Sequence, residues 1–246
     1  MGTDKQDTPA AKTWRVVQTI RESSDTTSVI LEGPKETVSH RKAGQFASIR
    51  IMGPDGWSEP HPFTISCSPE EERLRFTIKN SGDFTARVKD WEIGAEVQCD
   101  GPYGAFCKDI DDKQDIVMIA GGVGITPFLS VLRHFRSTRA TNSVLLFWGN
   151  KTLGDAFAAG ELLAMTRELD LRVVHCLSRE DPPPSPDGTV WHEKGRFTRE
   201  LLEKYPVAET ASFYVCGPAA MQESVLAALD SCGIGPDRVQ KERFTS

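Results

Sequence analysis

The stretch from Ile116 to Leu132, IVMIAGGVGITPFLSVL, limits the folds open to this chain. It carries no charge, and three glycines and a proline interrupt it near its middle. An apolar run too short for a helix enters a glycine turn and leaves as a second apolar segment with helical spacing. This reads as a strand buried on both faces, a tight turn and a core-facing helix. Such a strand belongs to a parallel sheet covered by helices on both sides. The glycines and the proline argue against a membrane span over the same residues.

The rest of the chain divides around this unit. From Trp14 to about Cys107 the pattern is of short strands: WRVVQTI, TSVILEG, QFASIRIM, PFTIS, LRFTIK and AEVQCDG. Close glycine, proline and acidic turns separate them, as in a small antiparallel barrel, with one helical interruption at DFTARVKDW. After Lys113 strands and helices alternate. DIVMIAG leads to PFLSVLRHF, SVLLFWG to AAGELLAMTREL, LRVVHCLS to TRELLEKY, and SFYVCG to AAMQESVLAALDSCG, with RVQKERF closing the chain. The expected fold is β plus α/β: a six-stranded antiparallel barrel over 13–110, then a parallel-sheet α/β domain over 114–246. Residues 1–12 read as a disordered leader without the apolar centre of a signal peptide. The proline-rich loop at 181–188 reads as a surface connection.

Two glycine turns carry chemistry. In AGGVGITP (120–127), Gly122 and Gly124 allow a tight turn and close backbone approach, Thr126 suits a helix cap and Pro127 a first helical position. Bare amides and the helix dipole there form a site for a pyrophosphate, although such a turn also occurs as a purely structural device. In YVCGP (214–218) a second strand ends at another glycine–proline helix start. Cys216 then falls at the carboxyl edge of the sheet, where open parallel sheets bind ligands. In HPFTIS (61–66) a proline that cannot donate to a sheet ladder follows His61 and precedes Phe63 and Thr64.

Composition narrows the function. A net charge of −6 over 246 residues argues against nucleic acid or an anionic membrane as the main partner. The six cysteines form no C-x-x-C pair and no plant-type iron–sulfur spacing, so no metal site is expected and reduced thiols in the cytoplasm are the default.

HPFTIS, IKNSGDFT, GPYG, AGGVGITP, VCGP and the terminal KERF, in this order, resemble the ferredoxin–NADP reductase superfamily from about Trp14 to Phe244. HPFT with GDFT is most similar to its ferric reductase and NADPH oxidase branch. The resemblance implies an FAD-binding barrel followed by a nicotinamide domain. His61 would take an arginine's place near the FAD pyrophosphate, Pro62 would stiffen the strand entry, Phe63 would pack on the flavin, and Thr64 would lie near flavin N5. Lys79 and the helix start at Gly82, Phe84 and Thr85 would bind phosphate. Gly121, Gly122, Val123, Gly124, Thr126 and Pro127 would hold the nicotinamide dinucleotide. Cys216, with Gly217 and Pro218, would lie close to the nicotinamide. Phe244 would act as an aromatic lid and Glu242 as a carboxylate in a proton network. Ser178 and Arg179 match a pair that grips the 2′-phosphate of NADPH, which favours NADPH slightly over NADH.

Two departures bear on affinity. Histidine lacks the permanent charge and fork of arginine, and Phe63 lacks a tyrosine hydroxyl. Modest FAD affinity is expected, falling as pH rises from about 6 to about 8. Thr245 and Ser246 also follow Phe244, so the aromatic is not terminal. The implied activity is an FAD-dependent NAD(P)H reductase passing electrons to a separate acceptor such as ferredoxin, flavodoxin, a haem partner at a membrane or a ferric chelate. The alternatives are a non-catalytic nucleotide-binding subunit and a reductase that uses FAD as a diffusible substrate.

Overall fold

The computed structural model describes residues 13–34 and 40–242. Its first half contains β1 (Thr13–Arg21), β2 (Thr26–Glu32), β3 (Phe46–Gly53), β4 (Gly56–Trp57), β5 (His61–Thr64), β6 (Leu74–Lys79) and β7 (Glu96–Tyr103). Neighbouring strands run antiparallel in the order β3, β7, β1, β2, β6. β5 pairs with the free side of β3, and the Ile65–Phe76 bridge carries its continuation to β6, closing a six-stranded ring. β4 lies outside the ring as a two-residue hairpin on the end of β3, a strand not expected from sequence. Alternation drives the closure. On β1, Trp14 and Val16 are fully buried while Thr13 and Arg15 are exposed. The inward residues meet Val29, Leu31, Ile49, Phe76 and Val97 in one core. The short helix α1 (Asp83–Arg87) and the turn after it add Phe84, Val88 and Trp91 to that core.

The second half contains β8 (Asp115–Gly121), α2 (Thr126–Thr138), β9 (Ser143–Asn150), α3 (Ala159–Met165), β10 (Leu171–Leu177), β11 (Val190–Lys194), α4 (Arg199–Lys204), β12 (Ser212–Cys216), α5 (Ala219–Ser231) and β13 (Val239–Glu242). Its six strands are parallel in the order β11, β10, β9, β8, β12, β13. Even-numbered residues of β8 pack with α2 and α3, and odd-numbered ones with α4 and α5, so both faces of the sheet are covered. This is the expected fold class, with one correction. The sequence reading passed directly from β10 to α4, whereas β11 intervenes after the proline-rich loop. β11 is an edge strand of mixed polarity, mostly half-buried, so it lacks the apolar run by which the inner strands are read.

Candidate functional site

The strand order reverses between β8 and β12. Successive units move outward from β8 through β9, β10 and β11, then return to the other side of β8 at β12. Crevices outside the carboxyl ends of strands at such a reversal are the ligand sites of open parallel sheets. Both glycine turns lie there. The chain leaves Gly121, turns through a 3-10 segment from Gly122 to Ile125, and runs directly into α2. Thr126 therefore lies inside the helix rather than capping it. Its Oγ1 donates back to the Val123 carbonyl at 3.0 Å, and Pro127 occupies the second helical position. The unpaired amides of the helix start move back to the glycine turn, since the first amides of any helix have no partner within it.

Close packing explains the glycines. A Cβ on Gly124 would lie 2.4 Å from the Cys216 carbonyl oxygen, and one on Gly121 would lie 2.3 Å from Met221 Sδ. Gly122 has φ +53° and open space where a Cβ would point. Its carbonyl accepts from Trp148 Nε1 at 2.9 Å, which fixes the turn. At the neighbouring strand end, Gly217 has φ +153° and Pro218 caps α5.

A cleft of about 300 Å³ runs between the barrel and this edge. Pro62, Phe63, Thr64, Lys79, Val123, Thr126, Pro127 and Glu242 line it, so eight of the residues singled out from sequence meet in one place. Phe46, Thr77, Ile78 and Ser81 also line it and were missed. Thr77 was legible only as part of a pattern. Ser28 of β2, Thr77 of β6 and Ser66, two residues past β5, form a hydroxyl chain at 2.8 and 3.0 Å. Polar alternation of this kind reads as a solvent-facing side of the barrel. Here it is covered: Ser28 and Ser66 are fully buried and Thr64 is 8% exposed.

Other expected residues lie elsewhere. His61 is not among the residues lining the cleft, and its ring stacks on Phe84 with centroids 3.9 Å apart. Thr85 Oγ1 accepts from the Ser81 and Gly82 amides at 2.8 and 2.9 Å, so a phosphate at this helix start would compete with it. Lys79 Nζ lies 3.0 Å from Asp25. Cys216 is fully buried beneath the glycine turn. Burial, then the nearby Glu242, pushes its thiol far above the ordinary range. Burial also raises the Glu242 carboxyl above the ordinary carboxylate range. Ser178 and Arg179 are exposed at the carboxyl end of β10, two strands from β8. Phe244 and residues 1–12 lie outside the described residues.

The cleft fits the group suggested by sequence. Phe46, Phe63, Ile78, Val123 and Pro127 give walls for a flat aromatic ring, and Thr64 adds a hydroxyl. Lys79, paired with Asp25, lines the cleft as a cation, and the open space at Gly122 would admit a pyrophosphate to this helix start.

An FAD-binding domain family model matches residues 11–107, and an oxidoreductase NAD-binding domain model matches residues 118–226. The chain thus carries an FAD-binding domain followed by an oxidoreductase NAD-binding domain. Among its relatives is the reductase component of propane 2-monooxygenase from Rhodococcus jostii, 32% identical over 83% of this chain and 56% of the relative. A flavohemoglobin from Malassezia yamatoensis with bound FAD and heme matches 95% of this chain and 60% of its own, with a TM-score of 0.79 at 25% identity. A ferredoxin NADP+ reductase from Neisseria gonorrhoeae with bound FAD and NADP shares the fold over 94% of this chain and 97% of its own, with a TM-score of 0.76 at 19% identity. The chain spans under two thirds of the length of the Rhodococcus and Malassezia proteins it resembles. Among its described residues no helix is long and apolar enough to cross a membrane.

Proposed function

We propose that this chain is the reductase unit of an electron-transfer system, with a flavin unit over 13–110 and a nicotinamide unit over 114–246. Hydride from NAD(P)H enters at FAD, and electrons leave singly to a separate protein acceptor. The supporting observation is the shared cleft, where Phe63 and Thr64 of β5 share one wall system with Val123, Thr126 and Pro127 of the glycine turn. Bound FAD would supply the redox chemistry, accepting a hydride and releasing electrons one at a time. The protein's part is geometric. Phe46 and Phe63 offer aromatic surface to a planar ring and exclude water. Thr64, almost buried, fixes a hydroxyl at the ring edge. The helix start after Gly121 orients a pyrophosphate, and Lys79 offsets phosphate charge. Glu242, its carboxyl raised by burial, lines the cleft as a candidate proton-network carboxylate. Buried Cys216 packs against the turn at Gly124 from beneath.

Ser178 and Arg179, free of the cleft, favour NADPH through its 2′-phosphate. The Rhodococcus relative is the reductase component of a monooxygenase, which favours an oxygenase-type protein acceptor for this chain as well. Six free thiols suit a reducing compartment, and we place the protein in the cytoplasm. The test is to load the protein with FAD without oxygen and add NADPH and NADH in separate titrations. Bleaching of the flavin by NADPH at lower concentration than NADH is expected. FAD that binds and stays yellow with both nucleotides would replace this reading with that of a nucleotide-binding subunit.

A further inference from the structure

Helix α2 does more than follow the glycine turn. Its first residues, Thr126 and Pro127, line the cleft, and its second and third turns reach the segment just beyond β5, whose residues form part of the opposite wall. Ser130 Oγ donates to the Cys67 carbonyl at 2.7 Å, and Arg133 Nη1 donates to the Ser66 carbonyl at 2.6 Å. Ser66 lies two residues beyond Thr64, at the seam where its amide donates to the Arg75 carbonyl and the barrel closes. Arg133 is 5% exposed. Its Nε and Nη2 form a fork to Glu161 at 2.8 and 2.7 Å, which fixes the plane of the guanidinium and so the direction of the Nη1 bond. One rigid helix therefore carries the nicotinamide wall at one end and grips the exit of the flavin strand about two turns along.

We propose that Arg133 is a positioning residue, held by Glu161, that sets the spacing between the β5 wall and the glycine-turn wall of the cleft. No part of Arg133 lines the cleft, so it acts through Ser66 and through α2. The inference rests on the reductase reading for its kinetic consequence. Reacting atoms must meet at near-contact distance, and a misplacement of about 1 Å costs up to about a hundredfold in rate. Loss of the latch should slow hydride transfer while leaving each ligand's own contacts in place.

The test compares the wild type with Arg133→Met and with the paired variant Arg133→Met/Glu161→Met. The pair leaves no unpaired buried charge, so it keeps the fold available if the single variant fails to accumulate. In anaerobic stopped flow, the limiting rate of flavin reduction should fall about tenfold or more in both variants. The nucleotide concentration for half-maximal rate and the affinity for FAD should change less than about threefold, and the long-wavelength charge-transfer absorbance should weaken. Small-angle scattering of the FAD-free proteins should show a larger radius of gyration in both variants. A paired variant with wild-type rate, charge-transfer band and scattering would overturn the proposal. If the wild type itself takes no hydride, the reductase reading fails, and the scattering comparison alone decides the latch.

Discussion

A side-chain carbon on Gly124 would lie 2.4 Å from one backbone atom and 2.8 Å from another, the Cys216 oxygen and the Gly217 Cα. Neither is the end of a flexible side chain. Gly124→Ala is therefore expected to destabilise the protein by about 1–3 kcal/mol in urea unfolding, and to weaken NADPH binding because the turn must shift. Lys79 gives a second residue-scale outcome. Burial alone would raise the Asp25 carboxyl, but hydrogen bonds from Lys79 and Thr26 leave it below the ordinary range. Asp25 thus competes with a phosphate for Lys79. Asp25→Ala should tighten FAD binding about threefold at low salt, measured by flavin fluorescence, and a weaker complex would make Lys79 a structural partner only. Glu242 has the opposite sign. Its folded carboxyl titrates above the ordinary value, so the folded state holds the proton longer than the unfolded one. The stability this contributes is complete below the unfolded value and is lost as pH rises through the folded one. Melting temperature compared with Glu242→Gln across mildly acidic to neutral pH should show the wild type losing ground as pH rises.

At the scale of elements, short pieces depend on side-chain caps. α1 has only five residues, and its start is closed by Thr85, whose hydroxyl accepts from two amides and donates to the Gly82 carbonyl. Thr85→Ala should cost about 1 kcal/mol in urea unfolding, and an unchanged midpoint would mean that water replaces the hydroxyl fully. The inner elements were the legible ones. β8 is buried along nearly its whole length and α2 along most of its first two turns, and the uncharged apolar run 116–132 covers most of β8 and the first half of α2. β4 and β11 were not legible. One has two residues and the other sits at a sheet edge with mixed polarity, so neither repeats a period long enough to read. Arg133 carries no sequence signal of its latch either, because its partners Ser66 and Glu161 lie 67 and 28 positions away.

For the whole molecule, the cleft couples two halves that differ in architecture. Its walls come from β3, β5 and β6 on one side and from the glycine turn, α2 and β13 on the other. FAD binding should therefore slow amide hydrogen exchange in both 63–64 and 123–126. Protection confined to the barrel would show that the flavin does not reach the glycine turn. At an FAD concentration about a hundred times its Kd, the folded state should gain about 2.7 kcal/mol.

The sequence by itself determined what depends on a few neighbouring residues: strand and helix periods, the glycine turns and their order along the chain. These suffice for the two architectures, because hydrophobic period and backbone freedom are local properties, whereas residues of the cleft such as Thr64, Lys79 and Glu242 were singled out only through the family resemblance. The tertiary structure alone decided which polar residues are covered. Thr64, Ser66, Thr77 and Ser28 have the alternation of a wet barrel face, yet all are buried. It also decided that Lys79 meets Asp25, that His61 stacks on Phe84 off the cleft, and that Arg133 ties α2 to the flavin strand. Contacts across such distances in sequence exist only once two folded surfaces meet, and their energies depend on desolvation that no local pattern encodes.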